Sequence, residues 1–346
     1  MKKILFIFFA IIITSCQKET LFSGFEIGDV VTLEDGNIKF EQPKKTIGAV
    51  YCNDSILVIY NCKNECQYSL FDIKSGKITK DIGMIGHGNN EIPVGCIGDI
   101  YGDTLFVSNS LTTIAKYSLS NSKQKMVADS VIKIKSNNAI MSAIAPVKSN
   151  YFIGLGSYKD KYHYVVTDNN ENITSYAIEI YNANDKNFNT YHKFLSNQGK
   201  IIKKQDDNAY VGITFRSGLI DFIRVDNMKI KQIKSYNKIV PEWKPKQEEA
   251  NCSLNWTKNT INGFIDICGN NKYVFALYSE DLTKELNYYG SKYILVFNWN
   301  GNLKACIQLD NYAQYIASNN STLFTIEEDT EGIQSIKAYK LKDFGN

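Results

Sequence analysis

Residues 85–93 read IGHGNNEIP, with glycines on both sides of a histidine and a glutamate four residues further on. Gly86, His87 and Gly88 could cradle a phosphate, and His87 with Glu91 could act as an acid–base pair. A dinucleotide fingerprint would need a third glycine after a strand, opening a helix. Here that position is Glu91, and Ile92-Pro93 leads towards another strand. Acid–base chemistry would need a nucleophile or a metal cluster beside the pair, and the sequence places neither there. The structural reading is therefore preferred. Gly86 and Gly88 allow left-handed backbone in a tight turn, Glu91 accepts hydrogen bonds from loop N–H groups, and Pro93 leads into a strand.

Other residues able to do chemistry are scattered. Besides Cys16 there are Cys52, Cys62, Cys66, Cys96, Cys252, Cys268 and Cys306, an odd number that cannot all pair. Cys62 and Cys66, in CKNEC, are near enough for a disulfide if the chain is exported. Zinc would need two such pairs or matched histidines, and His87, His163 and His192 show no ligand spacing; neither metal nor cofactor is expected. Only two arginines occur, Arg216 and Arg224, on a chain of formal charge +3, which argues against a nucleic-acid partner. The best binding candidates are Trp243 and Trp256, among polar residues in the long link 238–259 (KIVPEWKPKQEEANCSLNWTKN). Exposed, such rings stack on sugar faces or anchor a protein partner; packing of both onto the rest of the fold is the other reading.

The N-terminus carries an address. MKK supplies two positive charges, ILFIFFAIII is a ten-residue apolar run, and ITSC ends at Cys16. This is the pattern of an export signal, too short to remain as a spanning helix. Ile13-Thr14-Ser15-Cys16 resembles the lipobox of bacterial lipoproteins. The resemblance implies a signal peptide at 1–15, cleavage before Cys16, acylation of its thiol and new amino group, and a lipidated tether over 16–24. Gln17-Lys18-Glu19 is similar to the surface-export signals of Bacteroidota lipoproteins, which implies an outer-membrane anchor, with display at the cell surface and the inner leaflet of the outer membrane as the two placements. Loss of Lys2 and Lys3 brings the formal charge to about +1. No second long apolar run follows.

The elements that must position these residues are strands. After residue 16 helical periodicity is nearly absent, and short β-branched and aromatic runs alternate with Asn, Asp, Gly and Ser. A small polar residue followed by a strand recurs six times, beginning at Asp54, Asp103, Asn150, Asn208, Asn271 and Ser321. The onsets lie 49, 47, 58, 63 and 50 residues apart. Except in the fifth unit, a strand, a polar turn and the start of another strand follow about a dozen residues on, as in YSLFDIKSGK (68–77). Four-stranded antiparallel units at this period are propeller blades. A β-sandwich also has short strands at regular spacing, but would not need one ordered unit six times. The fold expected is all-β: one six-bladed β-propeller over 25–346. Its sixth unit lacks an outer strand, so FEIGDVVTLE (25–34) is expected to complete that blade and close the ring.

The stretch 83–119 then reads as a blade junction. With its glycine-rich loop, Pro93, and the strand Asp103-Thr104-Leu105-Phe106-Val107, it resembles NHL-type and TolB-like propellers, most of all the six-bladed TolB-like lipoproteins of Bacteroidota. The resemblance implies fold and envelope location and brings no settled activity. No sialidase-type S-x-D-x-G-x-T-W box and no repeated histidines are present. The function expected is a non-catalytic binding or scaffold propeller for a protein partner or a glycan. The alternative is a hydrolase or lyase working from the central funnel face.

Overall fold

Asparagine turns set the strand period. Asn53 Oδ1 accepts the N–H groups of Ser55 and Ile56 at 3.0 and 2.8 Å. Asn270 does the same for Lys272 and Tyr273, and Asn319 for Ser321 and Thr322. Each side chain stands in for a backbone acceptor and reverses the chain from the first strand of a sheet into the second. The computed structural model describes residues 21–345 apart from 42–46, 62–64, 93–96, 110–112, 121–126, 134–138, 149, 171, 238, 249–250 and 284–288. Cys16, Cys62 and Pro93 lie outside the described residues.

Four sheets are plain four-stranded antiparallel blades, within residues 49–84, 97–133, 139–179 and 199–236. Blades 5 and 6 are fused. Leu303–Ser318 is one strand of 16 residues. Its first half is the outer strand of blade 5, paired with Ser291–Asn298; its second half is the inner strand of blade 6, paired with Thr322–Glu328. The inner strands Ala49–Cys52, Ile97–Tyr101, Ala139–Lys148, Gly199–Lys203, Ile261–Gly269 and the end of Leu303–Ser318 contact one another in that order, and the last returns to the first. They therefore ring a central channel.

The core is not one mass. Six apolar clusters occur among the described residues, each between two neighbouring blades, blade 6 against blade 1 included. Large rings fill them: Tyr68, Phe71, Tyr164, Tyr210, Phe222, Phe264, Phe275, Phe297 and Phe324 are fully buried. Each blade face is apolar because it meets another blade, while outer strands such as Lys229–Tyr236 (KIKQIKSY) keep lysines towards water.

Closure comes from the chain start, in two steps. Glu34–Asp35 pairs antiparallel with Lys340 and Tyr339 as the outer strand of blade 6. Val30–Val31 instead pairs in parallel with Cys306 and Ile307 on the outer strand of blade 5, so only the end of the 25–34 segment serves the last blade. Ahead of both, Phe22 and Phe25, 5 and 3 % exposed, pack between blades 4 and 5. Phe25 meets Tyr236, Phe264, Tyr278 and Phe297 with ring centroids 5.0–6.1 Å apart. Phe22, placed by the sequence in the tether, is thus part of the folded body. A helix the strand pattern did not reveal, Thr190–Ser196, links blades 3 and 4, capped by Asn189.

Phe25→Ala is expected to lower the unfolding free energy by about 3 kcal/mol in urea denaturation. Val30→Ala, at a side chain 49 % exposed, should change it by less than about 0.5 kcal/mol.

Candidate functional site

Antiparallel order gives the ring two unlike faces. Inner strands end at the asparagine turns, which make the turn face. Inner strands begin at the links between blades, and the turns from second to third strand fall on that same side, the link face. Its elements are longer: the 85–92 loop, the helix Thr190–Ser196, and the hairpin of Trp243–Glu248 with Asn251–Trp256.

The 85–93 loop holds its glutamate for itself. Glu91 Oε2 accepts the N–H of Gly88 at 2.8 Å. A Cβ on Gly86 would lie 1.9 Å from that carboxylate, and one on Gly88 2.9 Å from it. Neither glycine is left-handed; in this loop Asn90 takes that conformation (φ 62°). The glycines therefore make room for Glu91 rather than supplying a left-handed backbone. His87 is exposed, and no hydrogen bond joins it to Glu91. His163 is buried in blade 3, where burial pulls its pKa down to about 4. His192 sits in the helix, its Nε2 3.3 Å from the Lys246 carbonyl of the hairpin. Among the described residues no three His, Cys, Asp or Glu side chains converge to hold a metal. Cys52, Cys66, Cys268 and Cys306 are free thiols.

At the turn face the channel opens into a cavity of about 290 Å³, lined by ends of inner strands from blades 1, 2, 4, 5 and 6. Lys200 projects into it and pairs with Asp266 at 2.7 Å, both buried. Asp266 also accepts the N–H groups of Ile267 and Ile316 at 2.8 and 2.9 Å. Burial works against the Lys200 charge, but Asp266, Tyr51 and Asp99 outweigh it and hold the ammonium above the ordinary lysine range. Asp99 is different. Burial pushes its carboxyl from 3.8 up to about 6, against the pull of Lys200 and of the Ile100 N–H. A buried pair that neutralises itself, with one reluctant acid beside it, can bind a polar group or take a proton. Neither the lysine nor the aspartates stood out in the sequence, because they lie 66 to 167 positions apart on three blades.

The link face gathers aromatic rings. The hairpin is rooted by Thr260 Oγ1, which donates to the Glu242 carbonyl at 2.7 Å, and by the Glu242 carboxylate, which accepts from Thr257 and Asn259. Trp243 and Trp256 are register partners at its base, but no ring contact joins them. Trp243 lines a groove of about 530 Å³ with Tyr181, Asn182, Asp185, Phe188 and Glu242. Its indole N–H is buried without an acceptor. Trp256 is 51 % exposed. Over its ring, at 4.4 Å, lies the guanidinium of Arg216, which also sits 4.7 Å from the ring of Tyr289.

Arg216 is positioned by the meeting of two blades. It lies in the turn from second to third strand of blade 4 with φ 56°. Phe264 donates its N–H to the Ser217 carbonyl at 2.9 Å, and Gly218 donates to Ile239 at 2.8 Å. A Cβ on Gly263 would come within 2.1 Å of the Ser217 nitrogen, so only glycine lets the blade 5 strand approach this turn. Its rarity, one of two arginines in the chain, was the available sequence signal.

Six four-stranded blades around a channel, with polar and aromatic residues gathered at its mouths, define a β-propeller. The chain belongs to the TolB-like six-bladed propeller-like family, whose model matches residues 48–320. Among solved structures it is similar to the WD40 β-propeller domain of Doa1, at 9% identity and TM-score 0.49, covering 90% of this chain and 98% of that one. It is also similar to the Cps50 (Swd1) β-propeller domain of Myceliophteria thermophila, at 10% identity and TM-score 0.45, covering 87% and 98%. No curated protein matches it in sequence.

Asp99 yields a test of the cavity. The folded protein keeps this proton to about pH 6 and the unfolded chain only to about 3.8. The group therefore makes the native state less stable as pH rises through that window. Asp99→Asn removes the effect, so denaturant midpoints should show the variant gaining on wild type between pH 4 and pH 8.

Proposed function

We propose that this protein is a lipid-anchored cell-envelope propeller that binds a ligand, glycan or protein, through its link face without catalysing a reaction. The observation that carries the reading is the aromatic surface at the hairpin base. Trp256 is half exposed beside an arginine, and Trp243 lines a groove with an unmet N–H. Tryptophan, tyrosine and arginine are the residue types that concentrate binding energy. The mixture of rings, amides and carboxylates around the groove suits a sugar chain better than a flat apolar partner.

Anchoring through Cys16 fits the same side. Ser23 donates its N–H and hydroxyl to Glu280 at 2.9 and 2.8 Å, and Gly24 donates at 3.1 Å, which pins the chain start to the blade 5 rim near the link face. Leu21 is five residue steps from Cys16, a reach of at most about 18 Å. The ligand would then be met close to the membrane surface.

A second reading, a hydrolase or lyase of the funnel, draws on Asp99, whose raised carboxyl opens on the Lys200 cavity. Against it, Lys200 is tied to Asp266, and no histidine stands among the described lining residues to complete an acid–base set.

The test is capture on intact cells with a photo-cross-linker at Asn255, beside Trp256. Replacing both Trp243 and Trp256 with alanine is expected to reduce capture at least about tenfold, with the melting temperature unchanged. Undiminished capture by the folded double variant would contradict the reading.

A further inference from the structure

The arginine beside Trp256 is an unusual cation. Its guanidinium lies over two rings, Trp256 at 4.4 Å and Tyr289 at 4.7 Å. Its N–H groups point out along the edge of the plane. Among the described residues they have one side-chain partner, the Thr283 hydroxyl at 3.2 Å. Arg224, by contrast, meets the Asp207 carboxylate at 2.9 Å. No carboxylate among the described residues pairs with Arg216.

A second donor waits beside it. Thr283 passes its hydroxyl proton towards Asn262 Oδ1 at 3.5 Å, and Asn262 Nδ2 is buried without an acceptor. Asn262 is 2 % exposed, so this is a built position and not a surface accident. The backbone around Arg216 is equally committed, with left-handed φ and the close approach of Gly263. Burial lowers the Arg216 pKa and Tyr289 works the other way, as expected of a half-buried cation without a full counter-ion.

Resting on the link face as the binding surface, we propose that the edge of Arg216 binds the carboxylate of an acidic glycan, with a sugar ring lying against the exposed Trp256. A guanidinium edge matches the two oxygens of a carboxylate in a paired, coplanar contact, and the two rings restrict how the guanidinium can turn. The glycan is preferred to an acidic peptide because Trp256, 51 % exposed beside Arg216, offers a flat ring face to a sugar ring.

Affinity electrophoresis of the full lipidated protein in detergent tests this, with polygalacturonate, alginate, neutral dextran and poly-L-glutamate as probes in the gel. A polyuronate is expected to retard the wild type and dextran is not. Arg216→Lys keeps the charge but loses the coplanar fork and the stacking, and should weaken retardation at least about tenfold. Asn262→Asp, which supplies an internal carboxylate beside Arg216, should abolish it even if Arg216→Lys proves unstable. Wild-type protein that ignores both polyuronates overturns the proposal, as does undiminished binding by folded Arg216→Lys. Equal, Arg216-dependent retardation by poly-L-glutamate overturns it in favour of an acidic polypeptide. Retardation by dextran that needs Trp243 but not Arg216 would leave the binding face standing and remove the carboxylate.

Discussion

Everything in this fold depends on joining the last blade to the first. A ring of sheets buries its apolar faces only if every blade has two neighbours, and a single open joint would expose the sides of blades 1 and 6 to water. The joint is made by side chains as much as by strands. Gln334 of blade 6 accepts the Ile47 N–H at 2.7 Å and donates to the Ile47 carbonyl at 3.3 Å, so its amide imitates one step of a β-ladder with blade 1. Phe40 wedges beside Phe71 of blade 1 and Phe324 of blade 6, at 6.2 and 6.0 Å. The chain start and the shared strand Leu303–Ser318 bind blades 5 and 6 together before that joint is reached.

The same closure places the candidate site. Phe25 packs on Phe264 and Tyr278, and Phe264 donates to the Ser217 carbonyl in the turn that carries Arg216. From the N-terminal segment to the arginine there is an unbroken path of ring contacts and backbone hydrogen bonds. Loops can carry precise groups when the scaffold beneath them is this rigid. The opposite mouth follows another logic: Lys200 and Asp266 satisfy each other deep in the channel, and the asparagine turns around them are spent on reversing strands.

Much of this was legible in the residues. The recurring polar residue before a strand, as at Asp54, Asn271 and Ser321, sits in a turn capped by an asparagine just ahead of it, Asn53, Asn270 or Asn319, so its spacing counts blades directly. The missing outer strand of the sixth unit pointed to a donor near the N-terminus, and Glu34–Asp35 fills that place. Pairing direction was not legible: Val30–Val31 has the alternation of an outer strand yet joins blade 5 in parallel, because a two-residue segment is placed by its surroundings. The helix Thr190–Ser196 is too short to show a period, and was marked only by Asn189 ahead of it. Trp243 and Trp256 were visible by composition, whereas their surroundings were not: Arg216 comes from a turn of blade 4, Asn262 from the inner strand of blade 5 and Tyr289 from a turn of blade 5, and they meet only in the folded ring.

The central claim is that the link face, not the funnel at the turn face, meets the ligand. Hydroxyl-radical footprinting tests it most directly, comparing the protein on intact cells that produce it with the purified protein. The account predicts that Trp243, Trp256 and Tyr289 become protected on cells while Tyr51 and Cys52 react equally in both states. Unchanged reactivity of the three link-face rings, with protection appearing at Tyr51 and Cys52, would contradict it.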